Sequence, residues 1–442
     1  MPDRYDVIIV GARCAGATLA IYLARQGRAV LLVDRDALPS DQVLSTHLVH
    51  APGMEVLDDV GVGDAVRSVA PPMRIVRLRK NNGIVDVEMP PGREEYCPRR
   101  ERLDGLLMRS AQAAGADVLD RTRVSDVVWQ NGRAAGIRAT RGDKEHVFSA
   151  PLIVGADGRH STIARLVNAE EYLGYDGPRG AYWGYWKAPA RWKDYRFDMY
   201  VANTHGDSRV MFHTDDDHLL VATTPTMEQL PHWRSNPLQT LRRDLATDDT
   251  LGPLVEGADP VEEIRGTVKE RYFFRQGAGP GWLLVGDAGH HKDFNIGDGI
   301  TEALLQARSA ARAIAAGSDA ALTEWWRARD VEAIPYFFFA EDEGRAGGPL
   351  DLQELVFSRV AARPDLRAQL ARAMHHQVSP YDAFPVSEIG RWMLGQVVRG
   401  RVGLLRDFLT MGKRGAYVAR ELNVRRALLK EAAARTSAPQ AV

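Results

Sequence analysis

The chain has 442 residues, enough to bury a large core in two or three domains. Hydrophobic content of 45% and charged content of 26% are those of a soluble globular protein. A formal net charge of -1 gives no reason to expect nucleic acid or an anionic membrane as partner, and two cysteines, Cys14 and Cys97, exclude a disulfide framework.

The first predicted element is a buried strand, Tyr5-Asp-Val-Ile-Ile-Val, ending in a glycine turn at Gly11. Asp3, Arg4 and Asp6 make a signal peptide a poor reading of this stretch. No run approaches the roughly 18 apolar residues that span a bilayer. The expectation is a cytoplasmic protein. A helix pattern opens near Cys14, and a second apolar run, Val30-Leu-Leu-Val, closes on Asp34. Strand, glycine turn, helix and acidic strand end form the βαβ dinucleotide fingerprint. Gly11 makes the turn, Gly16 lets helix and sheet pack closely, and the helix N-terminus faces a pyrophosphate. Asp34 suits the ribose hydroxyls of an adenosine half and would repel a 2′-phosphate, favouring FAD or NAD over NADP as the resident nucleotide. Arg13 replaces the middle glycine of the fingerprint. Its guanidinium is read as a phosphate contact.

Further along, Ile75–Leu78 and Ile84–Met89 flank an Asn-Asn-Gly turn and predict a hairpin. A helix follows Arg100 with Leu103, Leu106 and Leu107 on one face, ending near Gly115. Short strand patterns lie at 117–119, 124–129 and 134–139, and a buried strand, Leu152-Ile-Val, ends at Gly155-Ala-Asp157-Gly158. From 172 to 275 aromatic residues alternate through strand-length runs, predicting a mostly antiparallel sheet with one face open to a flat apolar ligand. Trp183, Tyr185, Trp186, Tyr200 and Phe212 are its candidate pocket residues. A third buried strand ends at Gly286-Asp287, before a helix through Ala303 and Ala311. Beyond about 322 the pattern is helical, and the arginines of 399–426 are read as a solvated helix face.

Three glycine-acid turns, each after a buried strand, belong at the carboxyl edge of one sheet, where such folds bind ligands. The sequence here resembles the FAD-dependent monooxygenase superfamily with the para-hydroxybenzoate hydroxylase fold, which includes geranylgeranyl-reductase-like enzymes and flavin halogenases. Gly155-Ala-Asp157-Gly158-Arg-His-Ser161 is similar to its Asp-Gly motif, and Leu284-Val-Gly286-Asp287-Ala-Gly-His290 with Gly297-Asp-Gly299 to its Gly-Asp motif. Arg100 matches its FAD-contacting arginine. The resemblance covers about residues 4 to 330. It implies an α/β fold: a Rossmann-like FAD-binding domain of glutathione-reductase type, an inserted antiparallel substrate sheet, and C-terminal helices. The FAD-binding parts would be 1–72, 98–171 and 276–330. The substrate domain would comprise the 73–97 hairpin and the 172–275 sheet, leaving 331–442 as the helical tail. Cofactor contacts would come from Gly11, Arg13, Ala15, Gly16, Asp34, Arg35, Thr46, Arg100, Asp157, Gly158, Gly286, Asp287, Gly297, Gly299 and Ile300.

The implied reaction is insertion of one oxygen atom from O2, through a flavin hydroperoxide, into an aromatic or polycyclic molecule, with NADPH or NADH as a transient reductant. His47, His213 and Phe294 are the candidate catalytic residues. Phe294 stands where the family has a proline beside the reactive flavin edge, Thr301 replaces an asparagine, and Arg165 falls one place late. Asp293 is either a base or a helix cap, capping being the commoner role. No metal site is expected, and the chain would be a monomer or a homodimer. Three other functions stay open. The missing proline favours a reductase of geranylgeranyl-reductase type. Flavin halogenases carry a Trp-x-Trp-x-Ile-Pro motif, of which this chain matches only Trp186 and Pro189. A non-catalytic flavin-binding protein conflicts with intact cofactor motifs and the aromatic middle region.

Overall fold

The computed structural model describes residues 4–39, 45, 47–204, 207–344 and 350–437. Val7–Val10 and Val30–Val33 are buried at every position, the pattern of parallel strands covered on both faces. They pair in parallel, Val7 opposite Val30 through Val10 opposite Val33. The six-stranded sheet runs Ala278–Gly279, Trp282–Leu284, Ile153–Gly155, Val7–Val10, Val30–Val33, Asp117–Leu119. All neighbours are parallel except the first pair. Helices Cys14–Arg25, Arg100–Ala113 and Gly299–Ala315 cover one face. An antiparallel meander, Thr122–Gln130, Arg133–Arg141 and Lys144–Ser149, covers the other. This is the α/β cofactor-binding architecture expected.

Steric demand explains two glycines of the first turn. Gly11 has φ 105°, and a Cβ there would lie 2.3 Å from the Ala156 carbonyl oxygen. One on Gly16 would lie 1.8 Å from the Gly11 carbonyl oxygen. Real side chains cannot occupy such spaces, so helix and strand ends pack backbone to backbone. Ladder bonds then bring the three turns to one edge: Ala156 N donates to Val10 O at 2.7 Å, and Val285 N to Gly155 O at 2.9 Å.

The second large sheet has seven strands, ordered Arg265–Thr267, Ala181–Lys187, His218–Thr224, Asp207–Thr214, Met199–Thr204, Ile75–Lys80, Gly83–Glu88. Only Met199–Thr204 with Ile75–Lys80 is a parallel pair. The two-residue period divides its side chains. Trp183, Met199, Val210 and Phe212 face the cofactor domain and tail, while Tyr182, Trp186, Tyr200 and Met211 face away. The 172–275 stretch is not sheet throughout. Helices Leu230–Ser235, Pro237–Leu245 and Leu251–Val255 seal the away-facing side with Leu241, Leu245 and Leu251.

A three-stranded sheet, Glu171–Asp176, Arg271–Arg275 and His290–His291, joins the two halves. Against it packs the helix Asp319–Gly344, with Phe337 and Phe274 centroids 4.9 Å apart. Helices Leu350–Ala362, Pro364–Met374, Val386–Val397 and Gly403–Ser437 complete the tail. Among the described residues no helix is long and apolar enough to cross a membrane.

Candidate functional site

Between the carboxyl edge of the six-stranded sheet and the seven-stranded sheet lies one continuous cavity of about 2200 Å³. Sites for a single drug-sized ligand are about 300–1,000 Å³, so the space suits a dinucleotide with a second molecule beside it. Gly11, Arg13, Ala15, Asp34, Arg35, Arg100, Asp157, Gly158, Asp287, Gly297, Gly299 and Ile300 all line it. Gly16 and Gly286 do not; they hold the turns together. A Cβ at Gly286 would meet the Ala15 side chain at 3.1 Å, and its N–H donates to Gln306 Oε1 at 2.9 Å. Thr46 lies outside the described residues.

The nucleotide end is braced from within. Asp34 accepts from Ala12 N at 2.8 Å and from Asp36 N at 2.9 Å, fixing its carboxylate at the strand end. Arg13 is held by Asp36 at 2.9 Å. Buried Arg100 pairs with Asp104 at 2.8 Å, and Asp104 accepts from Cys14 Sγ at 3.2 Å. Arg100 Nε is buried without a hydrogen-bond partner, a donor presented where the resemblance expects a cofactor. Asp157 accepts from Ser161 Oγ at 2.5 Å and from Thr162 N at 2.6 Å, so it builds the turn that carries Gly158. A Cβ on Gly158 or Gly299 would meet nothing within 4 Å. Open backbone at two turns, arginines on the walls and the N-terminus of the 17-residue helix Gly299–Ala315 suit an anionic dinucleotide.

Around Gly297 one part of the wall is charged. Lys292 is buried against Asp298 and Glu302. Asp298 also takes His376 Nε2 at 2.9 Å from the tail, and Glu302 faces His290 Nδ1 at 3.1 Å. Burial alone would raise Asp298, but His376 and Lys292 outweigh it and hold the carboxyl well below the usual range. His50 Nδ1 meets Glu95 at 2.7 Å. Burial opposes its charge, yet Glu95 raises His50 to about 9. In the same way, Asp287 overcomes the burial of His291 and raises it to about 9, across 3.3 Å.

His47 lines the cavity at φ 61°, with Nε2 bonded to the Tyr185 hydroxyl and Nδ1 buried without a partner. Burial first, then Arg100 and Arg99, drives its pKa well down, so the ring is neutral. Phe294 and Asp293 line the same space. Asp293 caps its short turn by accepting from Asn295 N at 3.1 Å, and burial raises its carboxyl to about 7. His213 is placed elsewhere. Its strand register turns it away from the cavity, toward Asp217 at 3.1 Å and Trp192. Trp186 and Tyr200 also fall on the away-facing side, Tyr200 bonding Asp248 at 3.1 Å. Trp183 and Phe212 line the chamber, and Tyr185 stands behind it as the support for His47. Sequence reasoning missed Glu95, Asp104, Glu302 and His376. Asp298 stood inside the Gly-Asp motif and Lys292 between its two parts, where charge packed so closely behind a buried strand was the available signal.

Fold and site together define an oxidoreductase built around a flavin dinucleotide. Residues 4–318 match the family model described as an FAD binding domain, and the chain belongs to that family of FAD-dependent oxidoreductases. It is 25% identical over 324 residues to a digeranylgeranylglycerophospholipid reductase of Methanocella arvoryzae, covering 71% of this chain and 78% of that protein. It is 30% identical to protein FixC of Salmonella typhi over 173 residues, 37% of this chain and only 38% of FixC's length. Among solved structures, the flavin-dependent brominase Bmp2 aligns with TM-score 0.70 at 17% identity, covering 90% of this chain and 99% of that one. PqsL of Pseudomonas aeruginosa, a probable FAD-dependent monooxygenase, aligns with TM-score 0.64 at 18% identity, covering 85% and 98%.

Proposed function

We propose that this chain is an FAD-dependent monooxygenase acting on an aromatic or polycyclic apolar molecule, with NAD(P)H as electron donor. The balance is substrate, O2, NAD(P)H and a proton giving the oxygenated product, NAD(P)+ and water. One observation carries the reading. The cavity that begins at the nucleotide turns continues past Gly297–Ile300 into an apolar chamber bounded by Trp183, Met199, Val210, Phe212 and Phe294. A cofactor gripped at one end would present its ring system to a flat substrate at the other.

Bound FAD supplies electron storage and oxygen activation. The chain's own residues bind, orient and handle protons. The sheet's apolar face keeps water from the reacting atoms. Backbone N–H groups at the start of helix Gly299–Ala315 stabilise negative charge that develops in front of them. Trp183 Nε1, buried without a partner, offers a donor to a substrate oxygen. Neutral His47 offers its buried, unpartnered Nδ1 in the same cavity. Asp293, with its carboxyl at about 7, takes up or releases a proton near neutral pH without leaving the chamber.

Reduction of a carbon–carbon double bond is the second reading, favoured by Phe294 in place of the proline and by the relationship to the archaeal reductase. Product mass separates the two. With a panel of polycyclic and unsaturated substrates plus NADPH, a gain of one oxygen supports the proposal. A gain of two hydrogens replaces it with the second reading, and halide incorporation overturns both.

A further inference from the structure

We propose that the tail helices Val386–Val397 and Gly403–Ser437 form a docking face for an anionic lipid surface, so that the enzyme works as a peripheral membrane protein. This face would dock in the same way whichever reaction the site performs.

Large apolar residues on this face are open to solvent: Leu394 is 62% exposed, Val398 81%, Val402 70% and Leu409 59%. A monomer surviving in water seldom leaves such a group uncovered. Between residues 386 and 427 seven basic side chains are exposed: Arg391, Arg399, Arg401, Arg406, Lys413, Arg420 and Arg426. The acids of the same stretch, Glu388, Asp407 and Glu421, are all at least partly buried. On the last helix Leu405, Leu409, Lys413, Arg420 and Val424 recur at spacings of four and seven, which places them on one side. Apolar anchors interleaved with basic residues are the pattern of a helix lying in a lipid interface. The net charge of -1 conceals it, because the compensating acids lie elsewhere in the chain.

Two further points choose lipid over a second copy of the chain. A twofold interface would press each basic set against its own mate, like charge on like charge. Second, the lining of the cavity reaches this face. Its lining runs along the inner side of the last helix through Phe408, Met411 and Val418, and includes the exposed Val386, Arg406 and Lys413. A cavity whose lining extends to an apolar, basic face would let an apolar molecule pass from bilayer to chamber with little exposure to water.

The test is co-sedimentation of the full FAD-loaded chain with vesicles of phosphatidylcholine alone and of phosphatidylcholine with phosphatidylglycerol. Binding is expected to the anionic vesicles, weakening with salt. Each lost basic charge should lower partitioning about fivefold, so Arg399→Gln/Arg401→Gln/Arg420→Gln together should lower it about a hundredfold. Val398→Ser/Val402→Ser/Leu405→Ser should abolish it, with circular dichroism and bound FAD checking that the fold is intact. Should the apolar variant misfold, the charge variant decides alone. The proposal is overturned if anionic vesicles leave the chain in the supernatant or if the charge variant sediments as the parent does. It is equally overturned if light scattering without lipid finds a stable dimer that the apolar variant dissociates.

Discussion

Replacing Glu95 by Gln removes the charge that keeps a proton on His50. The pair is 2.7 Å apart, with side chains 6% and 0% exposed, so water screens it little. His50 is raised from 6.5 to about 9, which at about 1.4 kcal/mol per pH unit corresponds to about 3 kcal/mol of stability. The contribution is complete below pH 6.5, where folded and unfolded chains both carry the proton. It is lost as pH rises toward 9, because the unfolded chain has already released a proton that the folded chain must still give up. His375, 3.8 Å from Glu95, is lowered to about 4 by burial and is neutral throughout this interval. His291 also titrates near 9, but it is common to parent and variant and cancels in their difference. Urea unfolding of parent and Glu95→Gln from pH 6.5 to 9.5 should therefore show the parent's advantage shrinking by about 3 kcal/mol. Parallel pH dependences would refute the assignment of a protonated His50 to this site.

Arg100→Met should weaken FAD binding about 10- to 100-fold in a fluorescence titration, the size of one hydrogen bond to a charged group. The double variant Arg100→Met/Asp104→Asn should regain stability lost to the stranded carboxylate, without regaining affinity. Trp186→Ala should cost about 3–5 kcal/mol of stability and leave KM unchanged, because its ring packs on the far side of the sheet. Trp183→Ala should raise KM, since its ring lines the chamber. In the parent kcat/KM should rise through pH 7 as Asp293 loses its proton, and Asp293→Asn should flatten that limb.

The cofactor half of the fold was legible because its constraints are local. Four consecutive buried apolar residues, a glycine with no room for a Cβ and a terminal carboxylate each leave a mark within one turn of chain. The antiparallel sheet was legible as a sheet, but its faces were not. Alternation separates Trp183 from Trp186 and Met199 from Tyr200, yet only the docking of helices 230–255 decides which set is turned from the cavity. His213 was misplaced for that reason. Long-range pairs were out of reach altogether: His50 and Glu95 are 45 positions apart, Asp298 and His376 are 78. Nothing in the local pattern of the tail announced that His376 reaches back to the cofactor loop.

The most direct test of the account is the flavin content of the purified chain. It should be yellow, release FAD on denaturation at one molecule per chain, and rebind FAD after stripping, with Gly11→Ala failing to do so. A protein that carries no flavin and binds none when FAD is added would contradict the convergence of its three strand-end turns on a single cofactor.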